Sequence, residues 1–195
     1  MEQFSTILVD PPWPFKDRGS RITPGYQFMD EAAILALPVE LLAAPQAHLY
    51  LWTTDSHLSL ALECCTAWGF LYKQTLVWVK QGTPDRLQIG MGHWYRHAHE
   101  LCLFAVRGKL KATRHDLPSV LFERRAGHSK KPERLWQLAE KMSPGPRLEL
   151  FACRRRWGWL CLGDELQPGF DLRIPASAQR ILDKRRGWME KKEAW

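Results

Sequence analysis

The stretch Ile7-Leu8-Val9-Asp10-Pro11-Pro12-Trp13-Pro14-Phe15 constrains this chain more than any other. Three apolar residues suited to a buried strand run into an acid and then into two prolines, which cannot donate to a sheet ladder. The strand must therefore end at Asp10. The prolines narrow the backbone that follows, so the Asp10 carboxylate, the Pro11 carbonyl and the Trp13 ring are expected in a fixed relation, with Pro12 completing the turn. Two acceptors and an aromatic plane suit an aromatic amine. The acceptors can take both hydrogens of an exocyclic NH2 group while the ring stacks on the base that carries it. Read for structure alone, the same residues are a strand end, a Pro-Pro turn and a core tryptophan.

Strand and helix patterns alternate along the remaining chain. Asp30 is placed to cap a short helix over residues 32–37, and residues 47–52 read as a strand. Asp55 or Ser56 can cap a helix through Leu58, Leu62 and Cys65 that stops at Gly69. Residues 71–80 and 101–106 have strand character. Pro132 suits the first turn of a helix through Leu135, Leu138 and Met142, ended by Pro144-Gly145, and strands are expected at 148–151 and 157–162. Residues 16–27, with two glycines and a proline, read as a loop over the site and a lid candidate. Residues 81–91 form a second loop. Residues 110–127 read as basic and irregular, with a short apolar piece at 120–122. This alternation predicts an α/β fold with a Rossmann-like, mostly parallel sheet flanked by helices and ligands at the carboxyl ends of its strands. A chain of 195 residues supports one such domain. We place it at residues 1–166, followed by a basic, partly helical tail at 167–195 that includes Lys184, Arg185 and Arg186.

Charge narrows the partner. The net charge is +7 and the isoelectric point near 9.3, and residues 124–156 hold ten Lys or Arg against Glu133, Glu140 and Glu149. That excess points to a polyanion such as nucleic acid. The five cysteines form no C-x-x-C pair and suit buried free thiols in a reducing compartment. The opening Met1-Glu2-Gln3-Phe4 lacks a basic-then-apolar pattern and no apolar run is long enough to span a bilayer, so a cytoplasmic protein with no membrane partner is expected. The absence of G-x-G-x-x-G argues against a dinucleotide enzyme. One rival chemistry stays open, because His93, His97, His99 and Glu100 lie within eight residues and a metal-dependent nuclease would also be basic.

The Asp10-Pro11-Pro12-Trp13 turn resembles the signature of the adenine-N6 methyltransferases related to the catalytic subunit of the messenger-RNA adenosine methyltransferase. Further blocks stand in that family's order: Tyr26 in Gly25-Tyr26-Gln27-Phe28-Met29, Leu49-Tyr50-Leu51-Trp52, Trp68-Gly69-Phe70, Val77-Trp78-Val79-Lys80, the segment from Gly92 to Glu100, His128-Ser129-Lys130-Lys131-Pro132-Glu133, and Glu149-Leu150-Phe151. The likeness spans roughly residues 6–166 and suggests a bacterial or phage-type member.

It implies S-adenosylmethionine as cofactor, with the catalytic motif ahead of the cofactor-binding half, a permuted order. Asp10 would border the cofactor, and Lys131, just ahead of a helix N-terminus, would suit its methionine carboxylate. Glu149 and Phe151 would shape the pocket, and Asp164 and Glu165 would take the ribose hydroxyls. Trp13 or Tyr26 would stack on the target base, with Trp94 as a wall and His97 and Glu100 nearby. Cys153 stands where relatives often carry Arg, Asp164 where Asn is usual, and only nine residues precede Asp10, so a weakened hold on the cofactor is expected. The substrate this implies is adenine in nucleic acid, DNA ahead of RNA. A catalytically silent nucleic-acid-binding partner is the alternative within the family.

Overall fold

The protein is described by a computed structural model over residues 3–14, 28–83, 86–90, 92, 94–127, 130–163 and 166. The expected loop over the site and the expected basic tail lie outside the described residues. Seven strands are found among those described: β1 (Phe4–Val9), β2 (Ala43–Thr53), β3 (Leu71–Gln81), β4 (His99–Arg107), β5 (Val120–Arg124), β6 (Arg147–Leu150) and β7 (Leu160–Leu162). The helices among the described residues are α1 (Glu31–Leu35), α2 (Val39–Leu42), α3 (Leu58–Ala67) and α4 (Glu133–Met142), with a 3-10 turn at Asp55–His57.

One sheet joins the strands in the order β5-β3-β4-β2-β1-β6-β7. β1 is parallel to β2 and β6, β6 to β7, and β3 to β5; β4 alone runs against its neighbours β2 and β3. The sheet is thus mostly parallel, as the alternation predicts. The exception follows from connectivity, since β3 and β4 are joined directly, without a crossover helix that would return the chain to the same direction. Reversal has one consequence for the site. The first residues of β4 arrive at the edge where the parallel strands end.

Side-chain alternation builds two cores. Ile7, Val9, Leu49, Leu51, Leu103, Ala105, Leu148 and Leu150 point to one face and pack under α1, α2 and α3 through Ile34, Val39, Leu42, Ala61, Cys64 and Trp68. Leu8, Tyr50, Trp52, Trp78, Cys102 and Leu121 point to the other and pack under α4 through Leu135, Trp136, Leu138 and Ala139. Strands apolar on both faces are what a helix-covered parallel sheet requires.

Several termini are set as the sequence suggests. The Asp30 carboxylate accepts the Ala33 N–H at 2.7 Å and caps α1. α3 ends where Gly69 takes a φ of 77° and the Phe70 N–H reaches back to the Cys65 carbonyl at 2.8 Å.

Other boundaries differ from the expectation. α2 and the start of β2 occupy residues to which the sequence reading assigned no element, and the apolar piece inside the basic stretch becomes β5, because parallel pairing with β3 supplies hydrogen bonds that its own pattern does not announce. The last strand starts at Leu160 and not at Trp157, which stands 99% exposed on the turn before it. Pro132 is the N-cap of α4 rather than its first helical residue. Because proline has no side-chain oxygen, the capping role passes to Glu123 of β5, whose two carboxylate oxygens accept the Glu133 N–H at 2.8 Å and the Arg134 N–H at 3.1 Å. Replacing Glu123 by Ala should therefore lower unfolding free energy by roughly 1–2 kcal/mol in urea titrations, the usual cost of a lost helix cap.

Candidate active site

β1 delivers Asp10 to the carboxyl edge of the sheet. Its N–H still reaches the Leu150 carbonyl of β6 at 3.4 Å, and the ladder stops there because Pro11 and Pro12 have no N–H to give. At this point the topology changes hand. From β1 the chain passes to β2 on one side with α1 and α2 over one face, while β6 adds on the other side after α4 has crossed the opposite face. Such a switch point opens a crevice beyond the strand ends, the usual ligand position in open α/β sheets. Phe151 leaves β6 beside it with a φ of 62°, a left-handed conformation rare for a side-chain-bearing residue. At the end of β7, a Cβ on Gly163 would come within 2.1 Å of the Ala152 carbonyl oxygen, so only glycine lets these two strand exits lie together.

Four charged side chains alternate in sign along this edge. Lys131 Nζ lies 2.7 Å from Asp10 Oδ2 and 3.5 Å from Glu100 Oε2, and Lys80 Nζ lies 2.7 Å from Glu100 Oε1. Asp10 comes from the end of β1, Lys80 from the end of β3, Glu100 from the start of β4 and Lys131 from the lead-in to α4. Beneath them, the Trp52 ring centre lies 5.6 Å from Lys131 Nζ and the Trp78 ring centre 5.4 Å from Lys80 Nζ. The two indoles meet edge to face at 6.3 Å.

Burial and charge set the protonation states together. Burial pushes the Asp10 carboxyl above its ordinary range, and the Lys131 ammonium pulls it back. Burial opposes the charge on Lys131, but Asp10 and Glu100 outweigh it and raise its pKa. Glu100 is also resisted by burial, yet Lys131 and Lys80 hold its pKa below the usual value. The result is an Asp10 carboxyl made more basic by its surroundings and held at one oxygen by a fixed cation.

The turn from Asp10 to Trp13 is itself tied at several atoms. The Pro11 carbonyl accepts the Trp13 N–H at 2.8 Å, leaving its second lone pair, and the Pro12 carbonyl accepts the Met29 N–H at 3.0 Å. Trp13 is 9% exposed; its indole N–H donates to the Trp52 carbonyl at 3.0 Å and its ring stacks on His57, with centroids 5.6 Å apart and planes 17° from parallel. One face of the expected stacking platform is therefore already occupied by a histidine.

Other expected site residues fall in different places. Trp94, expected as a wall of the site, is 95% exposed beside Tyr95 at 90%. His97 and His99 both turn to Asp55, at 3.3 Å and 3.2 Å from its two carboxylate oxygens, so His97 joins the turn after β2 and not Glu100. Among the described residues, which leave out His93, no group of three or more His, Cys, Asp or Glu is set to hold a metal. Tyr26, Asp164 and Glu165 also lie outside the described residues.

The two donors expected to anchor a methionine carboxylate are engaged within the protein. Lys131 serves Asp10 and Glu100, and the first free amides of α4 serve Glu123. What fits a sulfonium-bearing cofactor is the switch-point crevice, bordered by the Asp10 carboxylate with Glu100 close behind.

Glu149 projects from β6 into the α4 core, 6% exposed, where the Trp136 indole N–H donates to its Oε2 at 2.9 Å and the Cys161 sulfur lies 3.9 Å away. Sequence reasoning passed over Lys80, His57 and Glu123, and read Asp55 only as a helix cap, whereas its carboxylate lies against His97 and His99. Lys80 had a visible signal, a cation closing an apolar strand inside the block Val77-Trp78-Val79; the others gain meaning only from what they meet. The basic run is also less free than its composition suggests. Lys131 is in the charge chain, Arg154 and Arg156 bind Glu133 and lie over Trp136, and Arg147 donates to the Ser143 carbonyl.

Burial raises the Glu149 pKa to about 7 from an ordinary 4.5. The folded state then holds a proton that the unfolded chain has lost, so stability falls as pH rises from about 4.5 to about 7 and levels off above. Glu149→Gln keeps an oxygen for Trp136 and removes this titration. Chemical denaturation should show the variant matching the parent near pH 4.5 and exceeding it by on the order of 2 kcal/mol at pH 8.

Residues 4–165 match the MT-A70 family. Similar proteins include the N(6)-adenosine-methyltransferase MT-A70-like of Arabidopsis thaliana, 30% identical over 168 residues that make up 84% of this chain and 24% of that protein. The N(6)-adenosine-methyltransferase catalytic subunit METTL3 of Homo sapiens is 31% identical over 170 residues, 84% of this chain and 28% of that one. The N6-adenosine-methyltransferase non-catalytic subunit MTB of Arabidopsis thaliana is 26% identical over 114 residues, 56% of this chain and 15% of that one. The chain thus spans about a quarter of the length of the catalytic relatives it matches. These relatives come from a plant and an animal and lend no support to a bacterial or phage-type assignment. Because the family match runs from the first residue of β1 past the last residue of β7, taking in the whole sheet and the Asp10 turn, this chain belongs to the MT-A70 family.

Proposed function

We propose that this chain transfers the methyl group of S-adenosylmethionine to the N6 amino group of an adenine in nucleic acid. The observation that carries this reading is the intact Asp10-Pro11-Pro12-Trp13 turn at the switch point, with Asp10 gripped by Lys131 at 2.7 Å. The names of the catalytic relatives support it.

The adenine amino nitrogen is a poor nucleophile because its lone pair is delocalised into the ring. Asp10 and Pro11 address that. Lys131 occupies Asp10 Oδ2, so Oδ1 is oriented to accept one amino hydrogen, and the Pro11 carbonyl accepts the other with the lone pair that Trp13 leaves. Holding both hydrogens favours a pyramidal nitrogen with a localised lone pair, aimed away from the acceptors. When bound, the cofactor supplies an electrophilic methyl on sulfur; the nitrogen–carbon bond forms as the carbon–sulfur bond breaks, and the electron pair stays on sulfur. The methylated nitrogen then carries one hydrogen too many. Asp10, whose basicity burial increases, is placed to take that proton. Lys131 steadies Asp10 throughout without donating its own proton, because two carboxylates hold it charged.

The polymer is the finer question. The relatives' names specify adenosine, a ribonucleoside, and this supports RNA. We take RNA as the preferred polymer on that ground. In either case a base held in a duplex must leave the stack to bring its amino group to Asp10, so single strands should be the better substrates.

Asp10→Ala should reduce methyl transfer by on the order of 100-fold or more while binding of the cofactor, measured by calorimetry, is retained in part. Near-normal turnover in that variant would remove Asp10 from the mechanism. Matched RNA and DNA oligonucleotides of one sequence, offered single- and double-stranded with labelled cofactor, should give most label in single-stranded RNA at N6-methyladenine. Preferential labelling of DNA would reverse the polymer assignment, and no labelling of any oligonucleotide by the parent chain would favour the non-catalytic role that the likeness to the MTB subunit allows.

A further inference from the structure

Proline fixes φ but not ψ. The catalytic turn therefore keeps backbone freedom at Pro12 and Pro14, whose ψ no following proline restricts, and something else must hold it. The turn after β2 does so. His57, in the 3-10 turn Asp55–His57, reaches the other side of the Trp13 ring system and stacks on it at 5.6 Å and 17°. Its Nε2 lies 2.8 Å from the Pro14 carbonyl oxygen and its Nδ1 2.9 Å from the Thr54 hydroxyl. A carbonyl can only accept, so Nε2 carries a hydrogen and donates it to Pro14; the Thr54 hydroxyl can serve Nδ1 as donor or acceptor. Both nitrogens and one face of the imidazole are thus committed.

These contacts bear on the reacting groups through a short chain of bonds. The Trp13 N–H holds the Pro11 carbonyl at 2.8 Å, and the Trp13 indole N–H holds the Trp52 carbonyl at 3.0 Å. If the Trp13 ring tilts, the Pro11 carbonyl loses its direction. Asp55, two residues before His57, accepts from His99 at the start of β4, one residue ahead of Glu100, and its other oxygen lies 3.3 Å from His97 Nδ1. One turn thereby references both the Asp10 segment and the strand that brings Glu100.

We propose that His57 is the positioning residue of the catalytic turn: its ring buttresses Trp13 and its Nε2–H fixes the Pro14 carbonyl, so that Asp10 and the Pro11 carbonyl keep the relation an amino group requires. His57 touches no reacting atom itself. The kinetic part of this inference rests on the methyltransferase reading; the structural part does not.

The test uses the full chain with His57→Ala, which removes ring and donor, His57→Phe, which keeps the ring, and His57→Gln, which keeps a donor. Hydrogen exchange is read at the Asp10 and Trp13 amides, and kcat and KM are read with an adenine-containing oligonucleotide. For His57→Ala we expect faster exchange at Asp10 and Trp13 with little change in the amides of β4 and α4, and a fall in kcat of about 10-fold or more with KM for the cofactor within about 2-fold. The Phe and Gln variants should each recover part of both effects. Unchanged exchange at Trp13 in His57→Ala overturns the inference whether or not the parent is active. With an active parent, an unchanged kcat, or a loss confined to KM, also overturns it. An inactive parent whose Trp13 amide is nevertheless loosened by His57→Ala would sink the methyltransferase reading while upholding the positioning role.

Discussion

Lys131 between Asp10 and Glu100 is the interaction on which the carboxyl edge depends. Each of these groups is mostly removed from water, and a buried charge without a partner costs several kcal/mol, so none of the three is stable there alone. Their mutual attraction offsets that cost only when the segments carrying them are in register. Asp10 needs β1 to end where it does, Glu100 needs β4 to run backwards, and Lys131 needs α4 to start at the right height over the sheet. Lys80 completes the alternation by neutralising the second oxygen of Glu100. The edge is thus electrically balanced within the protein, and the Asp10 carboxylate has one oxygen held by Lys131.

The two-faced sheet explains how α4 comes to that height. Leu8, Tyr50, Trp52 and Trp78 form an apolar floor that accepts Leu135, Trp136 and Ala139, and the same tryptophans lie under the two lysines. At the far end of α4 the Ser143 hydroxyl joins His48 at 2.7 Å and Tyr50 at 2.8 Å, fastening the helix to β2. At its near end Glu123 fills the place of an anion. An interior this committed has little slack, which is why a helix N-terminus that reads as a ligand site in the sequence is already occupied by the protein's own carboxylate.

Charge composition overstated the nucleic-acid surface for a related reason. Several of the cations between residues 124 and 156 have partners within the protein: Lys131 on Asp10 and Glu100, Arg154 and Arg156 on Glu133 and Trp136, Arg147 on backbone carbonyls. A net charge counts cations without saying which have internal partners. The positive character that remains for a polyanion is what these pairings leave over.

The sequence alone determined the strand leading to Asp10, the break at Pro11-Pro12, the alternation that makes an α/β sheet, the Asp30 cap and the Gly69 stop, because each depends on backbone rules acting over a few residues. It also carried the family, since those blocks keep their order along the chain. What it left undecided was every relation between distant segments. Lys131 reads as a ligand for an incoming carboxylate, with nothing in the sequence to show Asp10, 121 positions earlier, against it; His97 and Glu100 read as one cluster, although the fold gives them different neighbours, Asp55 and Lys80. His57 and Glu123 have no local signal at all. Strand direction and order decide these pairings, and they are set by how whole faces of the sheet bury against helices, a property of the assembled chain that no short stretch of it contains.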